Sequence, residues 1–124
     1  MQITSQMLSG HHRTRNFPQG KHIFDQGSTG RTMYVVIEGE VDLQVDGRTI
    51  ETVHAGGVLG EMALIDRSPR AASAVAKSRC VLSAVDQRRF AELVRRSPEF
   101  SIAIMRTMAG RLRRMNRRYS SPRV

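Results

Sequence analysis

Tryptophan is absent from this 124-residue chain, cysteine occurs once, and the only aromatic residues are four Phe and two Tyr. The single thiol, Cys80, has no partner within the chain, which excludes a disulfide scaffold and makes a reducing, intracellular setting the simple reading. Cys80 also sits in an apolar run, where a thiol behaves as a small buried hydrophobe. No run approaches the roughly 18 consecutive apolar residues of a membrane span. The opening MQITSQMLSGHHRTRNF has no hydrophobic stretch of the secretory type. The expectation is therefore a soluble, cytoplasmic protein. The histidines His11, His12, His22 and His54 are scattered without His-x-His or His-x-x-x-His spacing, so no metal centre is expected. No nucleophile has a base at recognisable spacing, and the chain does not read as an enzyme.

Acidic residues stop at Glu99. Beyond it stand seven arginines, at 106, 111, 113, 114, 117, 118 and 123, and no lysine. The whole chain carries a formal charge of +9, yet the part up to Glu99 is nearly neutral. The basicity is local to the end of the chain. A chain of this length makes one domain, since single domains cluster at roughly 100–150 residues, and it buries enough surface to need no metal or disulfide.

Residues 1–16 show no sustained periodicity and read as a mobile N-terminal arm. From Phe17 to Asp86, short apolar runs punctuated by glycine read as a β-domain. Met33–Ile37 is a compact run, and Val41–Val45 and Thr49–Val53 alternate at period two around Asp46-Gly47, a strong hairpin signal. Further strands are expected at Ala72–Ala76 and Cys80–Val85. Gly60–Ile65, rich in Ala, Leu, Met and Glu, suits a helix of one or two turns. Gln87–Arg96 reads as one helix. A second opens at Pro98 behind an N-capping Ser97 and runs to about Tyr119. Residues 120–124 are a tail. Gly27-Ser28-Thr29-Gly30-Arg31-Thr32 evokes a phosphate loop but lacks its Lys-Ser/Thr ending, and reads as a turn.

The most informative stretch is Gly56–Ala74, GGVLGEMALIDRSPRAASA. A short helix near Gly60 presents unpaired backbone N–H groups that favour an anion. Arg70, held by Pro69 and followed by the small Ala71 and Ala72, offers a planar fork for phosphate oxygens. Glu61 would repel a bare phosphate but suits a ligand that also presents a hydroxyl, such as a ribose. From chemistry alone, a compact nucleotide site and an ordinary Glu–Arg surface pair both fit.

Gly60-Glu61-Met62-Ala63-Leu64-Ile65 followed by Pro69-Arg70-Ala71-Ala72 resembles the phosphate-binding cassette of the cyclic nucleotide-binding domain family. That family includes catabolite-activator-type regulators, regulatory subunits of cyclic-AMP-dependent kinase and cyclic-nucleotide-gated channels. Upstream, Phe17, Gly20, Ile23-Phe24, Gln26-Gly27, Gly30, Met33-Tyr34, Val36, Glu38-Gly39 and Val41 fall at the family's spacing. The resemblance covers Phe17 to about Arg114. It departs at Arg31, where an acidic residue is usual, and at Leu59, where an aromatic is common.

The resemblance implies a jelly-roll β-roll of about eight short strands, a short cassette helix and two C-terminal helices. The binding domain would span 17–119, with the roll at 17–86 and the helices at 87–119. It implies that Glu61 accepts from the ribose 2′-OH beside the Gly60 backbone, and that the amides of Ala63 and Ala71 hold the cyclic phosphate. Arg70 would neutralise it, and Met62 and Ala72 would line the pocket. Ala71, where a Thr would favour cyclic GMP, leans towards cyclic AMP, with cyclic GMP the other ligand. The C-terminal helix would cap the base, Tyr119 or a nearby arginine would stack on it, and helix movement would signal to an unidentified effector protein.

Met105, Met108, Leu112, Met115 and Tyr119 form one apolar seam. A homodimer through 98–119 and packing against the chain's own roll fit it equally. The arginines could instead make an interaction module that acts independently of nucleotide. Nucleic acid is disfavoured as partner, because the tail has almost no interleaved aromatics and no helix-turn-helix follows it. Arg70→Glu is expected to abolish binding and leave the fold intact.

Overall fold

In the computed structural model the chain is described at residues 3, 4, 6–8 and 13–119, without the side chains at 115 and 117–119. Eight strands and three helices make up these residues: β1 (Arg13–Phe17), β2 (His22–Phe24), β3 (Thr32–Glu38), β4 (Val41–Val45), β5 (Arg48–Val53), β6 (Val58–Leu59), α1 (Met62–Ile65), β7 (Ser73–Ala76), β8 (Cys80–Asp86), α2 (Gln87–Arg96) and α3 (Pro98–Tyr119). The strands form two four-stranded sheets, β1-β8-β3-β6 and β2-β7-β4-β5, with every pairing antiparallel. The expected β-roll of about eight strands is the observed architecture.

Local sequence explains the turns. Asp46 and Gly47 both take positive φ, 52° and 82°, the conformation a two-residue hairpin needs to follow strand twist. Gly39 joins β3 to β4 at φ 89°, and a Cβ there would stand 2.2 Å from the Arg79 carbonyl oxygen, so only glycine fits. Asp86 caps α2 by accepting from the Arg89 amide at 2.8 Å, and Ser97 caps α3 by accepting from the Phe100 amide at 3.1 Å.

β3 divides the interior. Met33 and Val35 face one core with Val85, Leu93, Phe100, Ala103 and Ile104, so that α2 and α3 are packed onto the roll. Tyr34 and Val36 face a second core with Val41, Leu43, Val53, Leu59 and Leu82. Alternation along a strand sends successive side chains to opposite faces, and here both faces are buried.

The structure corrects two sequence expectations. The boundary of the arm drawn at residue 16 falls too late. Arg13–Phe17 pairs with β8 through five residues, and Ile3 and Leu8 are buried in the helical core. The strand was missed because Arg13, Thr14, Arg15 and Asn16 are all exposed and give no apolar alternation. His11 and His12 lie outside the described residues. The apolar seam of α3 also runs differently. Phe100, Ala103 and Ile104 are buried and Met108 packs against them, whereas Met105 is 58% and Leu112 56% exposed. Tyr119 has its side chain outside the description.

Candidate functional site

Seven residues singled out in the sequence, Gly60, Glu61, Met62, Ala63, Arg70, Ala71 and Ala72, all line one cavity of about 410 Å³ between the roll and α3. Gly60 takes φ 80°, so the chain turns sharply out of β6 before Glu61, which precedes α1 without capping it by its side chain. The helix is a single turn, beginning at Met62, at the short end of the one or two turns expected. The amides of Leu64 and Ile65 donate to the Glu61 carbonyl, and that of Asp66 to the Met62 carbonyl. The amides of Met62 and Ala63 precede these and have no intrahelical carbonyl within reach.

Arg70 is only 7% exposed. Its backbone is fixed by the turn at 27–30, where the Gly27 amide donates to the Arg70 carbonyl and the Arg70 amide to the Ser28 carbonyl, both at 2.8 Å. The segment that evoked a phosphate loop is thus the clamp on the arginine. The Arg70 guanidinium donates from Nη1 to the Gly60 carbonyl at 3.2 Å and from Nη2 to the Thr32 carbonyl at 2.8 Å. It lies over the Phe24 ring, 4.1 Å from the centroid. Nε is buried without a hydrogen-bond partner. Burial lowers the pKa of Arg70, against the pull of Tyr34 and Glu61, so the positive charge lacks compensation that an anion would supply.

Glu61 is 2% exposed, and what holds it was not foreseen. Arg111 of α3 donates from Nη1 to both Glu61 carboxylate oxygens at 2.8 Å. The same guanidinium donates from Nε and Nη2 to Glu51 on β5, at 3.0 and 3.1 Å, and from Nη2 to the Val58 carbonyl at 2.6 Å. Arg114 adds a contact to Glu51 at 3.0 Å. Burial alone would lower the pKa of Arg111, but the hydrogen bonds and charges of Glu51 and Glu61 outweigh it and raise the value.

Arg111, its partner Glu51 and the second arginine on Glu51, Arg114, were missed, although a signal existed. Ile104, Met108 and Arg111 share one helix face, and an arginine on a face that packs inward requires a buried acid. The family departures do not enter the cavity: Leu59 is buried in β6 and Arg31 is exposed. Among the described residues no cluster of His, Cys, Asp or Glu suits a metal ion, and no helix is long and apolar enough to cross a membrane.

With the cavity, its buried arginine and its carboxylate in place, the comparisons agree with the geometry. The profile of the cyclic nucleotide-binding domain matches residues 14–97, and the chain belongs to that family of regulatory binding domains. It is 38% identical over 104 residues to the cyclic AMP receptor protein of Thermus thermophilus, covering 80% of this chain and 48% of that one. It is 41% identical over 76 residues to a cAMP-dependent protein kinase regulatory subunit of Eremothecium gossypii, covering 61% of this chain and 17% of that one. The crystal structure of the Thermus thermophilus catabolite activator protein superposes with a TM-score of 0.77 at 36% identity, over 90% of this chain and 55% of that one. The chain thus spans about half or less of these curated relatives.

Proposed function

We propose that the chain binds cyclic AMP without turning it over and that its C-terminal helix reports the bound state. The supporting observation is the Arg70 guanidinium, buried with an unpaired Nε on the wall of a cavity that also holds the buried carboxylate of Glu61. The residues fit the ligand. Arg70 neutralises the cyclic phosphate, and the amides of Ala63 and Ala71 donate to its oxygens. Glu61 accepts from the ribose 2′-OH beside the Gly60 backbone, since a carboxylate that takes one arginine retains lone pairs for a further donor. Met62 and Ala72 flank the nucleoside together with Ile50 and Leu112. Ala71 and the likeness to a cyclic AMP receptor protein favour cyclic AMP over cyclic GMP.

Arg111 connects this site to α3. It removes the repulsion between two carboxylates and an anionic ligand, and ties Glu61 to the helix that would carry the signal to an effector protein. Signalling follows if two positions of α3 bind the nucleotide with different affinity. Calorimetric titration of nucleotide-stripped protein with cyclic AMP and, separately, cyclic GMP tests the reading. One-to-one binding, tighter for cyclic AMP, is expected. Absence of heat with both, confirmed by an unchanged melting temperature, overturns it.

The uncovered face of α3 favours a second reading alongside the first. Ile102 and Met105 are exposed at helical spacing, outside the cavity lining and beside the exposed Arg106. This face suits a second copy of the chain or another protein, independently of nucleotide. Sedimentation equilibrium of the protein and its Met105→Glu variant tests self-association: a dimer that the substitution dissociates supports it, and a monomer at all concentrations removes it.

A further inference from the structure

We propose that Phe24 and Gly30 are positioning residues for the anion-binding arginine, holding the Arg70 guanidinium in its binding orientation before any ligand arrives. The proposal rests on the reading of the cavity as a cyclic nucleotide site. The guanidinium is confined on several sides. Phe24 covers one face at 4.1 Å. The ring is itself braced, stacking on Tyr34 at 6.4 Å between centroids, while Tyr34 meets Phe17 edge-on at 6.3 Å. A Cβ at Gly30 would stand 2.5 Å from Nη2 and 3.0 Å from Cζ. Gly30 is not among the positive-φ glycines, so its role is to leave out a side chain. Gly60 is equally close, a Cβ there lying 2.5 Å from Nη1.

Arginine has five N–H donors in a fixed plane. The Thr32 and Gly60 carbonyls accept from the two terminal nitrogens, which fixes the plane and leaves Nε unpaired. An arginine fixed in this way has already lost its rotamer freedom, so less is lost when the phosphate binds. The aromatic face stabilises the cation where water is excluded and does so without occupying a donor. A carboxylate at the same place would have held the charge but competed with the ligand.

The test is a double-mutant cycle read by calorimetry with cyclic AMP. Phe24→Leu and Gly30→Ala are each made in the parent protein and in an Arg70→Lys background. Each should weaken binding about tenfold in the parent, and change it by no more than about twofold in the Arg70→Lys background. Phe24→Tyr should restore binding to within about threefold of the parent. Equal losses in the two backgrounds would make Phe24 and Gly30 ordinary packing residues and overturn the proposal. A second readout needs no nucleotide. The Arg70 Nε–H resonance should be ring-current shifted and slow to exchange, and should move to the position of an unconstrained arginine in Phe24→Leu. If the parent binds no cyclic nucleotide, the functional reading fails, yet this resonance still decides the positioning. A parent signal already at the unconstrained position overturns it.

Discussion

The Arg111 guanidinium donates to both carboxylate oxygens of Glu61 at 2.8 Å, across fifty residues of sequence. It thereby joins the longest helix to the residue that immediately precedes the shortest. Glu61 is the more deeply buried partner, so the pair is asymmetric: losing the arginine strands a carboxylate away from water, whereas losing the carboxylate leaves Arg111 with Glu51.

Arg111→Ala should therefore destabilise the fold by about 3 kcal/mol, the order expected for an uncompensated buried charge. Urea unfolding measures the loss. Adding Glu61→Gln should recover a good part of it, because the stranded charge is then gone. A double variant as unstable as Arg111→Ala alone would show that the cost lies in the helix contact and not in the charge.

Glu61 should discriminate by sugar. The parent should bind cyclic AMP at least about tenfold more tightly than its 2′-deoxy analogue, as expected when a buried acceptor loses its donor. In Glu61→Gln the two ligands should converge. Competition binding with both nucleotides on both proteins gives the comparison, and a preference that survives the substitution places the ribose elsewhere.

Arg70→Lys is the substitution to use for phosphate recognition. The expectation that Arg70→Glu leaves the fold intact does not accord with the geometry. A carboxylate at this position has no N–H to give the carbonyls that now accept from Arg70, which buries a charge and leaves acceptors without donors. Arg70→Glu should lower the melting temperature clearly, whereas Arg70→Lys should retain the fold and lose most of the affinity. Thermal denaturation of both variants beside the parent separates these outcomes.

Cys80 should be inert in the native protein. It is buried and its pKa is raised, chiefly by burial. The protonated thiol is favoured in the folded state, so any stability it contributes is present at neutral pH and is lost as pH rises above the usual thiol range of about 8.5. Modification by a thiol-specific disulfide reagent at about pH 8 should be slow and should accelerate with urea in step with global unfolding. Rapid labelling without urea would contradict the burial.

Much of this molecule can be read locally. The Asp46-Gly47 hairpin, the Asp86 and Ser97 caps and the limits of α2 and α3 follow from short-range signals: positive-φ turn residues, side-chain acceptors and the proline at 98. The seven residues picked out by the family resemblance line one cavity, and they lie within thirteen positions of one another. What eluded the sequence is long-range. β1 is a polar strand defined only by its partner β8, and β6 is too short to show a period. The Arg111–Glu61 pair joins residues on elements whose packing no local pattern sets. The α3 seam shifted because helical spacing defines several faces, and tertiary packing chose the one with Phe100 and Ile104.

The two interior cores share β3 as a common wall, and this makes the strand a mechanical partition. Its first residue, Thr32, offers the carbonyl that holds Arg70. The next two residues face opposite chambers: Met33 presses on the helices and Tyr34 on the aromatic column behind Phe24. A close-packed wall of this kind is stiff and has little void to absorb a shift. The carbonyl that holds Arg70 and the side chain that packs beside Phe100, Ala103 and Ile104 thus belong to adjacent residues of one strand. The helix is therefore moored beside the cavity twice, at its root through this core and nearer its tip through Arg111 and Glu61.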